Sequence, residues 1–184
     1  MKHEAMNSFL SHENIEIHRN YLKSLRLKLS IIRKSYPGCM YENLPYEKRR
    51  IDRNIPDIVL SEARDLVFQI KMHETYFCSF TDKKEKANLI RKQFSSEEAF
   101  FYEIYDMIKS EKYGYLIVYI DEKGRIKFSV VDVLLIAIKY KPILVIDLFE
   151  HSYFYDYLYD KDSYYKRAIE RLDLGKIEEA LTSS

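Results

Sequence analysis

The chain has 184 residues, 47% of them apolar and 32% charged, a balance that suits one or two compact domains with a buried core and excludes a disordered or collagen-like chain. With 30 basic and 29 acidic residues the formal charge is +1, so overall basicity gives no case for nucleic-acid binding. Two cysteines, Cys39 and Cys78, exclude a disulfide framework, and no apolar run nears the roughly 20 residues that span a bilayer.

The opening segment, MKHEAMNSFLSHEN, lacks the apolar centre of a signal peptide, so the expected compartment is the cytoplasm, with no membrane partner. The first helix is expected from Ile15, with a stripe of His18, Leu22, Leu25, Leu29 and Ile32. At about 100° per residue these positions share one face. Pro37-Gly38 ends it, and a polar stretch from Tyr41 to Asn54 follows. A second helix is expected from Asp57 to Phe80, with the stripe Ala63, Leu66, Val67, Ile70, His73 and Phe77. Two long helices joined by a proline-containing connection suggest an antiparallel pair.

Residues 81–93 are charged and weakly patterned, which places a boundary between a helical unit, 1–86, and a second unit, 87–184. Ser95-Ser96-Glu97-Glu98 fits a capping box before a helix over Ala99 to Lys112. Tyr113 to Ile120 and Arg125 to Val131, around the turn Asp121-Glu122-Lys123-Gly124, form a hairpin signal. Val133 to Tyr140 is ambiguous between strand and short helix, and Pro142 to Leu148 reads as a buried strand. The tail is helical from Asp162, divided at Gly175. The fold class is α+β: an N-terminal antiparallel helical hairpin, then an α/β domain with a small antiparallel sheet.

His18 and His73 lie on the apolar stripes of the two helices. Either alone reads as a core histidine. Two on facing stripes each need a partner, because an unpaired buried polar ring costs roughly 1–3 kcal/mol. Asp147, at the end of the apolar strand, with His151 four residues on, has the form of a ligand pair. Three neutral imidazoles and one carboxylate suit a first-row transition metal and leave a position open for solvent or substrate.

The same segments resemble the iron/manganese superoxide dismutases. Ile15-Glu16-Ile17-His18 is similar to the family's first-helix ligand segment, and Gln69-Ile70-Lys71-Met72-His73 to its second. Tyr113-Gly114-Tyr115-Leu116 resembles the family's Trp-Gly-Trp-Leu, with Tyr for each Trp. Asp147-Leu148-Phe149-Glu150-His151-Ser152-Tyr153 resembles Asp-x-Trp-Glu-His-Ala-Tyr, with Phe149 for Trp and Ser152 for Ala. Asp162-Ser163-Tyr164 resembles Pro-Asp-Tyr.

The resemblance implies one metal ion per chain, iron or alternatively manganese, held by His18, His73, Asp147 and His151 between the two units. It implies disproportionation of superoxide to oxygen and hydrogen peroxide. It gives Gln69 the role of the glutamine that bonds the metal-bound solvent and tunes the potential, at the place that marks the iron type. A polar residue on a half-exposed face is the other reading of Gln69. Glu150 and Tyr153 would lie at a homodimer interface; otherwise Glu150 is an exposed acid in a helix's first turn.

Two positions depart from the family. Its histidine one turn after the first ligand, and its tyrosine one turn beyond, are here Leu22 and Arg26. Leucine neither donates nor accepts, and arginine has no proton to give up. The stretch between Ile17 and Glu42 has no acid and six cations, Arg19, Lys23, Arg26, Lys28, Arg33 and Lys34. Most read as a solvated helix face, and Arg26 is expected at the channel mouth, attracting the anion. Cys39 and Cys78 are expected to be packing residues. A superoxide dismutase-like metal-binding or structural protein with weak or no dismutase activity is the rival function, and a metal-dependent oxidase or peroxidase is a third.

Overall fold

The computed structural model describes residues 4–37, 55–83, 87–111, 113–132 and 141–183. Gly38, Cys39, Tyr41 to Asn54, Val133 to Tyr140 and residues 84–86, next to the expected boundary between units, lie outside the described residues.

A short 3-10 helix, Glu4–Ser8, precedes α1, His12–Ser35. The Ser11 side chain accepts from the Asn14 amide at 3.1 Å, which fixes the start of α1, and α1 stops before Pro37. Helix α2 spans Asp57–Tyr76. Ile55 and Leu60 pack with Ile32 and Tyr36, and Ala63 and Leu66 pack with Leu25 and Leu29. Gln69 meets Tyr21 further along. Numbers fall on α1 as they rise on α2, so the pair is antiparallel, as the stripes require. Helix α2 ends four residues earlier than its apolar period suggests. Cys78 and Ser79 turn back onto Thr75 and Tyr76, and Phe80 forms a bridge with Leu172.

The weakly patterned 81–93 region contains a helix, α3, Asn88–Phe94. Its cap comes from a distant residue: the Glu178 carboxylate accepts from the amides of Leu89 and Ile90 at 2.8 and 3.0 Å. Helix α4, Glu97–Ile108, starts where expected, with the Ser96 side chain accepting from Ala99 at 3.1 Å.

Strands β1, Tyr115–Ile120, and β2, Ile126–Val131, form the hairpin, with Val118 opposite Phe128. Asp121 Oδ1 accepts from the amides of Lys123 and Arg125, both at 2.9 Å, and closes the turn. Strand β3, Leu144–Asp147, lies antiparallel on the other side of β1, so the order is β2-β1-β3. The register sets Tyr115 opposite Asp147. Gly114 has φ +126°, and a Cβ there would lie 2.9 Å from the Val131 carbonyl oxygen, so this place before β1 requires glycine.

Three helices complete the chain: α5, Glu150–Tyr157, α6, Lys161–Glu170, and α7, Leu174–Thr182. Gly175 does not divide the tail; it lies inside α7. The break is at Arg171–Asp173, because Leu172 pairs with Phe80 and the Asp173 amide donates to the Ser79 carbonyl at 2.8 Å. The fold is α+β: helices α2, α4 and α7 pack on a three-stranded antiparallel sheet. Strand β3 is buried throughout and contacts α2, while α1 contacts α2 and α5. The ends of these four elements meet at one place.

Candidate metal centre

Each of the four expected ligands is delivered by a rigid element. His18 is on the second turn of α1, in its buried stripe, and His73 is in the last turn of α2. Asp147 is the last residue of β3. Its Oδ1 accepts from the Phe149 amide at 2.9 Å, which turns the chain into α5 and leaves Oδ2 to face the histidines. His151 is the second residue of α5. The backbone of Asp147 is held as well: the buried Tyr164 hydroxyl donates to its carbonyl at 2.9 Å, and Tyr76 and Tyr164 are joined through their hydroxyls at 3.1 Å.

Ligand atoms from His18, His73, Asp147 and His151 all lie within 4.8 Å of one another. Asp147 Oδ2 is 3.3 Å from His18 Nε2, 3.5 Å from His73 Nε2 and 3.1 Å from His151 Nε2. His73 Nε2 is 3.2 Å from His151 Nε2. His73 Nδ1 lies 2.7 Å from the Gln69 backbone carbonyl, an acceptor only, so Nδ1 carries the proton and Nε2 presents a lone pair. Neither nitrogen of buried His18 has an aligned hydrogen bond among the described residues. One buried carboxylate oxygen and three imidazole Nε2 atoms gathered at one point are placed to hold a cation. The donor set, three N and one O, fits a first-row divalent or trivalent ion.

Burial alone would raise the Asp147 carboxyl, but the imidazoles, His151 foremost, hold it well below the usual carboxylate range. Burial pushes His73 down to about 4 and outweighs the opposing charge of Asp147. Burial also lowers His18 against the same carboxylate. These two ligands are therefore neutral at pH 7, as metal binding requires.

The side chains of His18, His73 and Asp147 have no exposed surface, while His151 is 27% exposed. Aromatic rings wall the cluster. Tyr76 and Phe77 lie 4.9 and 5.1 Å from the His18 ring, Phe149 stacks on His151 at 5.8 Å, and the Tyr115 hydroxyl is 3.4 Å from His73 Nδ1.

The remaining expected site residues are placed as follows. Gln69, half-buried on α2 one turn before His73, accepts at Oε1 from the Tyr21 hydroxyl at 3.3 Å. Arg26 is exposed and pairs with Glu74 at 2.6 Å; it lines a groove with Arg33, Lys34 and Ser30. Leu22 is buried in the apolar core. Glu150 is exposed at the start of α5. Tyr153 is buried in the chain itself, stacked on Tyr164 at 5.3 Å. Cys78, expected to pack, is exposed, because α2 ends before it.

Sequence reasoning missed Tyr21, whose ring lies 4.5 Å from His151 and 5.3 Å from His73. Burial first, and the charge of Asp147 second, raise its hydroxyl above the ordinary tyrosine value. Its spacing of three from His18 was the available signal, since residues three apart on a helix are neighbours. Asn14 was also missed: its amide donates to the Ser152 carbonyl at 3.2 Å and to Asp156 at 3.0 Å, pinning α1 to the helix that carries His151.

Among the described residues no helix is long and apolar enough to cross a membrane. No curated protein matches the chain. The model of the C-terminal domain of iron/manganese superoxide dismutases matches residues 82–180, a stretch that carries Asp147 and His151. His18 and His73 lie before the matched stretch, and the fold brings them to the same point. Since the match covers more than half of the chain, the protein belongs to the iron/manganese superoxide dismutase family.

Proposed function

We propose that the protein is a superoxide dismutase that converts superoxide to oxygen and hydrogen peroxide at one metal ion per chain. The observation that carries this reading is the convergence of His18, His73, Asp147 and His151 within 4.8 Å at the meeting point of α1, α2, β3 and α5. When bound, the ion supplies one-electron exchange with superoxide by alternating between its 3+ and 2+ states.

The protein's own groups have four tasks. The carboxylate and three imidazoles hold the ion in a dry, aromatic setting, where charge effects are strong. The Gln69 carbonyl fixes the tautomer of His73. The Gln69 side-chain amide orients solvent at the ion, the second task. This position on α2 supports iron, with manganese as the alternative. Arg26, with Arg33 and Lys34 in the same groove, attracts the substrate anion, the third task. Glu150, exposed beside His151, reaches a partner subunit in a homodimer, with Tyr153 packed behind it. The ion would lie between a helical unit, 1–86, and an α/β unit, 87–184, in a cytoplasmic protein.

A second reading keeps the metal but not the turnover. It is favoured by Leu22, an apolar core residue where the family carries a proton-relaying histidine, and by Arg26, whose charge is met by Glu74. One paired experiment separates the two readings. Bound iron and manganese are quantified, and superoxide disproportionation is assayed, in the wild type and in His73→Ala. Metal near one per chain with activity that the variant lacks supports the dismutase. Metal without activity supports the second reading, and no metal rejects both.

A further inference from the structure

A groove of about 370 Å³ follows the seam between α1 and α2, and none of the four expected metal ligands lines it. Its apolar lining is Leu29 from α1 and Ile70 from α2. Its charged lining is mostly cationic: Arg26, Arg33 and Lys34 stand on α1, with the Ser30 hydroxyl among them. Glu74, from α2, is the one acid among the lining residues, and Arg26 donates to it at 2.6 Å. That bond anchors Arg26 at the groove through one guanidinium nitrogen and leaves its other N–H donors for a ligand. The side chains of Arg26 and Glu74 are each about half exposed, so the groove is open to solvent.

The sequence concentrates positive charge along this helix. No acid follows Glu16 on α1, so beyond its second turn the helix brings no carboxylate of its own to the cations. Arg26 and Lys34 are eight residues apart, about 12 Å along the axis. One small anion does not bridge that span, whereas a chain of linked anionic groups meets both ends. Guanidinium presents a planar fork that fits phosphate oxygens in pairs, and the lysine ammonium adds a compact charge. Ser30, midway between Arg26 and Lys34 in the chain, adds a hydroxyl donor.

We propose that this groove is a binding site for a linear oligophosphate, the chemistry shared by inorganic tripolyphosphate and the triphosphate of a nucleotide. The phosphates lie between Arg26 at one end and Arg33 and Lys34 at the other. Binding engages cations that the proposed function uses to attract superoxide, but it needs neither a metal nor turnover. The site therefore stands or falls separately from the dismutase reading.

The test uses the full chain, metal-free, because oligophosphates chelate metals. Isothermal titration with sodium tripolyphosphate at physiological salt should show saturable binding of one per chain, and inorganic monophosphate should bind at least about tenfold more weakly. Absence of saturable binding, or equal affinity for the two, overturns the proposal. Lys34→Gln should weaken tripolyphosphate binding about tenfold, and Arg26→Gln, at the other end, by a similar factor. Lys28→Gln is the control: this lysine is exposed on α1 and does not line the groove, so the same loss of charge should change affinity by less than about twofold. Equal weakening by Lys34→Gln and Lys28→Gln would assign the binding to the general charge of the helix and overturn the site. Lys34 and Lys28 are both exposed, so neither substitution disturbs the core. ATP and adenosine distinguish the two sources. ATP binding as tightly as tripolyphosphate supports recognition of the phosphate chain alone, and tighter binding of ATP supports a nucleotide. Adenosine binding as tightly as ATP overturns the proposal.

Discussion

Acidification is the perturbation whose effect follows most directly from the buried imidazoles. His73 titrates near 4 in the folded chain, against an ordinary 6.5. Between these values the unfolded chain takes up a proton that the folded chain refuses. Stability of the metal-free protein is therefore full above pH 6.5 and is lost as pH falls toward 4. The gap between the two values corresponds to about 3 kcal/mol for this one residue. His18 is lowered by the same burial and acts in the same direction. Asp147, whose folded value is depressed, contributes with its own loss only at lower pH. The assay is urea unfolding followed by far-ultraviolet circular dichroism, in chelator, at pH 7.5, 6.5, 5.5 and 4.5. His73→Gln, which cannot titrate, should show a shallower fall with pH. Saturating metal should move the loss to lower pH, because the ion competes with these protons. Equal stability at pH 7.5 and 4.5, or a His73→Gln slope identical to wild type, would refute the reasoning.

Other perturbations test separate parts of the account. Gly114→Ala places a Cβ 2.9 Å from the Val131 carbonyl at a φ of +126°; it should cost about 3 kcal/mol in urea unfolding, and a neutral effect contradicts the steric argument. Tyr164→Phe removes the donor to the Asp147 carbonyl and strips buried Tyr76 of its partner. It should cost about 2–4 kcal/mol of stability and weaken metal affinity about tenfold, read by chelator competition; unchanged affinity would show that this support does not reach the ligand. Arg26→Ala should lower the second-order rate with superoxide and flatten its dependence on salt, and an unchanged rate assigns Arg26 to its pairing with Glu74 alone.

The parts of the fold legible in the sequence were those encoded locally. The α1 and α2 stripes gave two helices and placed both histidines on buried faces. Ser96 announced α4, and the turn at Asp121 announced the hairpin. Asp147 and His151 were legible because a strand that ends in an aspartate and opens a helix carries its spacing in the chain itself. Features set by distant partners were not legible. Helix α3 depends on a cap from Glu178, about ninety residues away. The early end of α2 and the break before α7 share one cause, the Phe80–Leu172 bridge, which no local period reveals. Tyr21 escaped for a different reason. It stands at the edge of the aliphatic stripe, three residues after His18 and just before Leu22, where an aromatic ring reads as ordinary packing.

The proposed function needs four side chains from four elements to hold a single ion. Its most direct test is metal analysis combined with X-ray absorption at the metal edge, on protein purified intact and on Asp147→Ala. The account predicts about one iron or manganese per chain, in a shell of light N and O donors with imidazole scattering, and loss of that metal in the variant. Protein that stays metal-free when offered iron and manganese in excess, or a variant that keeps its metal in an unchanged shell, would contradict it.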